Sequence, residues 1–118
     1  MELLGLRTTI YPTDDLVASV KYFNELLGIE PYFDEPFYVG YNVGGYELGI
    51  DPNSDTADGT QSYWGVTDAV AAARELLASG AEIVSEVNDT GGGIKVAQFR
   101  LPDGNHFGII ENPHFKLS

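Results

Sequence analysis

Residues 11–28, YPTDDLVASVKYFNELLG, carry the end of one element and the whole of the next. Pro12 stops an extended run, and Thr13, Asp14 and Asp15 offer side-chain acceptors for the exposed N–H groups of a helix start. Leu16, Val20, Phe23 and Leu27 follow at spacings of four, three and four, which places them on one helical face. Gly28 ends the helix. Upstream, Leu6 to Tyr11 is rich in Thr, Ile and Tyr and reads as a strand. Downstream, Ile29 to Phe33, Phe37 to Val43 and Tyr46 to Ile50 read as three more strands. Asp34-Glu35-Pro36 turns between the first two, and Gly44-Gly45 between the last two.

The same order returns after a polar, turn-rich stretch at 51–59. Ser62 to Val66 is a strand, and Thr67-Asp68 can cap a helix whose apolar face carries Val70, Ala73 and Leu77, ending near Gly80. Ala81 to Val87, Ile94 to Arg100 and Asn105 to Glu111 are the following strands. Asn88 to Gly93 is a glycine-rich turn, and Leu101-Pro102-Asp103-Gly104 is the tight turn before the last strand. The tail is expected to lie back on the body through Phe115. Strand, helix and three strands, repeated, predict an α+β domain of two βαβββ modules, 1–50 and 60–118, joined by 51–59. A ferredoxin-like βαββαβ arrangement would leave one strand per half unexplained.

At 118 residues there is material for one hydrophobic core. Eighteen acids against six scattered bases give a formal charge of -12, which argues against a nucleic-acid or anionic-membrane surface. No cysteine is present, so thiolate chemistry and sulfur-ligated metals are excluded. With no apolar run of about 20 residues and no signal-peptide pattern, a cytoplasmic location is expected.

Taken together, Tyr11-Pro12-Thr13-Asp14-Asp15-Leu16, Tyr22-Phe23 with Leu26-Leu27-Gly28, Leu77 through Gly80-Ala81, and Leu101-Pro102-Asp103-Gly104-Asn105-His106-Phe107-Gly108 resemble the glyoxalase/bleomycin-resistance/extradiol-dioxygenase superfamily, the vicinal oxygen chelate fold. The resemblance covers nearly the whole chain. It implies paired βαβββ modules whose curled mixed sheets enclose a cleft, and homodimers with clefts near the interface. In the family's metal enzymes four strand positions hold a divalent ion. Here they correspond to Thr8, Glu47, Gln61 and Gly108. Thr8 is a poor neutral ligand and Gly108 has no side chain, so the expected metal site is incomplete. His106 shares a strand face with position 108 and could stand in, making Glu47, Gln61 and His106 the set if an ion binds.

Glu47 lies between Tyr46 and Leu48 in an apolar strand and is the candidate general base; His106 is the candidate acid/base partner. Gln61 and Thr8 supply polar groups for a ligand. Tyr63 shares strand parity with Gln61, and Phe37, Tyr41 and Tyr46 join it as candidate aromatic walls. Gly91-Gly92-Gly93 lacks the Lys-Ser/Thr ending of a phosphate loop. No nucleophile elbow or catalytic triad can be assembled. The expected function is a metal-independent binder or sequesterer of a small organic molecule, acting as a homodimer. The alternative is a divalent-metal-dependent glyoxalase-like lyase or isomerase using Glu47 as metal ligand or general base.

Overall fold

A computed structural model describes residues 1–117. Its elements run β1 (Gly5–Pro12), α1 (Leu16–Leu27), β2 (Phe33–Glu35), β3 (Tyr38–Val43), β4 (Tyr46–Asp51), a 3-10 turn at Thr56–Asp58, β5 (Gln61–Gly65), α2 (Ala69–Ala78), β6 (Glu82–Gly91), β7 (Ile94–Arg100) and β8 (His106–Glu111). This is the expected α+β order of two βαβββ halves. No helix among the described residues is long and apolar enough to cross a membrane.

The chain divides into two compact units. One is built from Thr8–Gln61, the other from Met1–Arg7 with Ser62–Lys116. In the first, β4 pairs parallel with β1 and antiparallel with β3, and β2 pairs antiparallel with β3. Helix α1 begins where Asp15 accepts from the Ala18 N–H (3.1 Å), and ends on Gly28 at φ 69°, a backbone that favours glycine. Its stripe of Leu16, Val20, Phe23 and Leu27 packs on Val39, Tyr41, Leu48 and Ile50. Those four sheet residues alternate with Tyr38, Gly40, Glu47 and Gly49, so the helix covers one face and the second set lies on the other.

In the second unit β8 pairs parallel with β5 and antiparallel with β7, which pairs with β6. Asp68 caps α2 through the Ala71 N–H (3.1 Å), and the Glu111 carboxylate on β8 accepts from the Ala69 N–H (2.9 Å). These two bonds fix the helix phase. Ala69, Ala72 and Leu76 are buried against Ala97, Phe99 and Ile109, whereas Val70 and Leu77 of the expected stripe are exposed. The small alanines let the helix approach the sheet closely, and only Ala73 of the expected face packs against this core.

Two strand expectations also shift. Ile29–Tyr32 is not a strand, and the polar Phe33–Glu35 is. The supposed turn at Asn88–Gly93 narrows to Gly92–Gly93, because Asn88, Asp89 and Gly91 continue to pair with β7 across bulges. The N-terminal residues pack within this unit: the Leu4 N–H donates to the Gly65 carbonyl (2.8 Å), and the Arg7 guanidinium lies 3.8 Å above the Phe115 ring. Phe115 thus anchors the tail.

Candidate functional site

Glu47 stands near the start of β4, directly paired with Thr8 of β1 and Asn42 of β3. Both of its carboxylate oxygens are engaged. The Tyr32 hydroxyl donates to Oε1, and the Tyr38 hydroxyl donates to Oε2 at 2.7 Å. Burial, followed by the Glu47 charge and hydrogen bond, pushes the Tyr38 phenol far above its ordinary range. The Tyr32 phenol is also raised, by burial first and then by its bond to Glu47. Both phenols therefore stay protonated and act as donors to the carboxylate.

Two strand glycines make room for this cluster. Gly40 and Gly49 are paired across β3 and β4, and neither has a positive φ. A methyl group on Gly40 would come within 2.8 Å of Glu47 Oε1 and 3.2 Å of the Tyr32 ring. One on Gly49 would overlap the Tyr38 hydroxyl. Glycine inside a strand marks the close approach of another group, and here the groups are the two tyrosines. Phe33 packs edge-on to Phe37 (6.0 Å between ring centroids) and tilted to Tyr38 (6.3 Å), so an aromatic row borders the carboxylate.

The second unit has its own polar group on the sheet face away from α2. Gln98 on β7 donates to the Tyr63 hydroxyl at 2.5 Å. Between them in register lies Gly108. A methyl group there would meet the Tyr63 ring and the Ser62 carbonyl, each at 2.7 Å, so the Tyr63 ring fills the space a side chain at 108 would need. The register also compares the halves. In the first, Ile10 pairs with Gly49 and Glu47 lies two residues before that glycine; in the second, Tyr63 pairs with Gly108 and His106 lies two residues before it. His106, rather than Gly108, is therefore the counterpart of Glu47. Its Nδ1 is buried and has no hydrogen-bond partner.

The sequence-derived candidates thus separate. Glu47 and Thr8 are brought together, and Thr8 and Gln61 are both buried. Tyr63 is buried and joined to Gln98. Tyr41, expected in a ligand wall, is 0% exposed on the α1 face, where its hydroxyl donates to Asn24 Oδ1 at 2.6 Å. Tyr46 shares the parity of Leu48 and Ile50 and so lies on the sheet side away from Glu47. Phe37 precedes β3 in a turn and joins the aromatic row through Phe33. Missed by the sequence pattern were Tyr32, Tyr38 and Gln98 as partners. Glycines at 40 and 49 inside largely apolar and aromatic strands mark a close approach of other groups, though not which groups approach.

The model of the Glyoxalase/Bleomycin resistance protein/Dioxygenase superfamily matches residues 5–109. The chain belongs to that superfamily. Solved structures share the glyoxalase-superfamily fold at low identity. A variant of the Streptomyces coelicolor methylmalonyl-CoA epimerase, in complex with 2-nitronate-propionyl-CoA, gives a TM-score of 0.76 at 14% identity, over 95% of this chain and 99% of that one. A Vibrio splendidus glyoxalase/bleomycin resistance protein/dioxygenase superfamily member gives 0.68 at 20%, over 90% and 97%. A hypothetical protein from Bacillus halodurans gives 0.75 at 13%, over 96% and 97%. No curated protein matches the sequence significantly.

A tight divalent-metal site recruits several charged or imidazole donors. Of the positions this glyoxalase-superfamily chain aligns with a metal, Thr8 offers a neutral hydroxyl, Gln61 a neutral amide, and Glu47 a carboxylate that already accepts two phenol hydrogen bonds. Position 108 offers no side chain and is overlain by Tyr63, so a fourth donor would have to be His106, two residues earlier on β8. Among the described residues no group of three or more His, Cys, Asp or Glu side chains is placed to hold an ion. One carboxylate, one imidazole and two neutral side chains are a poor match for the family's metal.

Proposed function

We propose that this glyoxalase-superfamily chain binds and holds a small organic molecule without a metal ion, the guest's polar head being received at Glu47. The observation that carries this is the double engagement of Glu47: Tyr32 on one oxygen, Tyr38 on the other. A carboxylate held by two protonated phenols is arranged as a hydrogen-bond acceptor flanked by rings, the composition of a small-molecule site. A metal ion at Glu47 would share the carboxylate with two phenol donors and meet only the neutral hydroxyl of Thr8 beside it. The charge of -12 speaks against a polyanionic guest such as the acyl-CoA analogue held by the epimerase.

A second reading, a divalent-metal-dependent lyase or isomerase using Glu47 as ligand or base, draws on one observation. His106 Nδ1 is buried without a partner, and a ligand or ion would satisfy it. Native mass spectrometry of the untagged whole chain, before and after incubation with Mn, Fe, Ni and Zn, separates the two. Binding without metal predicts a metal-free protein, a homodimer by mass, and a retained organic mass. One tightly held ion per subunit, lost in Glu47→Gln, would overturn it.

A further inference from the structure

Glu47 has two partners of different permanence. Tyr38 is half-buried and lies across Gly49, where it is held in place by the strand beneath it. Tyr32 is 63% exposed and precedes a three-residue strand whose members are all exposed. Its main-chain N–H is tied to the Gly40 carbonyl (3.0 Å), so its ring can swing about its own side-chain torsions without moving the backbone. Glu47 Oε2 is therefore covered by the more enclosed of the two donors, while Oε1 is covered by the solvent-exposed one.

The group that takes the place of the Tyr32 hydroxyl must satisfy a carboxylate oxygen and lie against the faces of Phe33 and Tyr38. An alkylammonium head meets both requirements, because its charge answers the carboxylate and its carbon substituents lie on the negative ring faces. The surroundings agree in sign. Lys21 is the single base between Thr8 and Gln61, against ten acids, and Asp34 and Glu35 stand in β2 itself. An anionic head would be repelled, and a neutral donor would gain the hydrogen bond that Tyr32 already makes but no charge–charge attraction.

We infer that, if the chain is a metal-free binder as proposed above, its guest is an organic ammonium compound whose cationic head displaces the Tyr32 hydroxyl from Glu47 and is walled by Tyr32, Phe33 and Tyr38. Tyr32 is then both a competitor, through its hydroxyl, and a wall, through its ring. This predicts opposite effects for two substitutions at one residue.

The probes are choline and its neutral isostere, in which carbon replaces the nitrogen, titrated into the whole chain and followed by tyrosine fluorescence and two-dimensional NMR. Choline binds saturably, and the isostere about tenfold more weakly, the worth of a partly desolvated cation–ring contact. Glu47→Gln weakens choline by a similar factor. Tyr32→Phe tightens it several-fold and Tyr32→Ala weakens it. Equal binding of choline and isostere, no binding of choline, or Tyr32→Phe as damaging as Glu47→Gln would each overturn the ammonium assignment. Saturable binding of the isostere alone sinks the cation and leaves the binder. A Glu47-dependent metal ion in the mass spectra sinks the binder itself.

Discussion

The Tyr38 phenol and the Cα hydrogen face of Gly49 share one space: a methyl group on the glycine would overlap the hydroxyl oxygen, with the ring carbon Cζ 2.6 Å away. Gly49 has an ordinary strand backbone, so glycine is required here by its neighbour and not by φ. Gly49→Ala should therefore destabilise the chain by about 1–3 kcal/mol, the usual cost of overpacking. Tyr38→Phe removes the overlapping oxygen and should return part of that loss in the double variant. Urea unfolding of the four proteins in a double-mutant cycle measures the coupling. Additive losses would mean that Tyr38 does not lie over Gly49.

The phenols at 32 and 38 both hold their protons more tightly in the folded chain than an ordinary tyrosine, whose value is 10.0. The folded form thus binds protons that the unfolded form has released, and stability must fall as pH rises above about 10. Their contribution is fully present below that pH and is lost towards the raised folded value. Tyr38, the more buried, should give a slope of about 1.4 kcal/mol per pH unit; the exposed Tyr32 adds less because solvent screens it. Tyr38→Phe should flatten the alkaline limb of a pH series of urea midpoints. An unchanged limb would show that the phenol is neither buried nor held by Glu47 as described.

A side chain at position 108 faces a harder constraint than one at 49. The added carbon would meet the Ser62 carbonyl, which is backbone, as well as the Tyr63 ring. Gly108→Ala should cost at least as much as Gly49→Ala, roughly 2–3 kcal/mol, and Tyr63→Ala should rescue only part of it. Gly108→Glu, which places a carboxylate two residues from His106 on the same strand face, should destabilise further and confer no tight divalent-ion binding in a calorimetric titration with Mn. Recovery of a stoichiometric ion by that substitution would show that the Tyr63 ring yields readily.

Local chemistry made much of the fold legible from sequence. Asp15, Gly28, Asp68 and the turn at 101–104 act within a few residues of themselves, and each does what its side chain or backbone dictates. The α1 stripe was legible because four large apolar residues fix its phase. Helix α2 is rich in alanine, which suits either side of a helix, and the larger Val70 and Leu77 draw the eye to the wrong face. The edge segments at Phe33–Glu35 and Asn88–Gly91 are, apart from Phe33 and Thr90, made of acidic, amide and glycine residues of poor strand propensity, so composition hides them. At the site, a lone carboxylate in an apolar strand singled out Glu47. Its phenol partners depend on cross-strand register and rotamer, which no local pattern states. The same lack of register put Tyr41 and Tyr46 in a ligand wall and hid the correspondence of His106 with Glu47.

The phase of α2 yields the sharpest stability contrast between adjacent residues. Leu76 is 5% exposed in the core of the second unit, while Leu77 is 44% exposed. Truncating Leu76 to alanine removes contacts with a sheet that cannot fully collapse into the gap, and should cost about 2–4 kcal/mol. Leu77→Ala trades a partly solvated side chain for the best helix former and should stay within about 1 kcal/mol of the parent. The phase is held at the helix start by the bonds from Asp68 and Glu111, so Glu111→Gln, which keeps an acceptor but removes its charge, should lose less than Glu111→Ala. Thermal and urea denaturation of the four variants reads this order directly. Equal losses at 76 and 77 would mean that α2 is rotated from the phase described, and that the alanine stripe does not face the sheet.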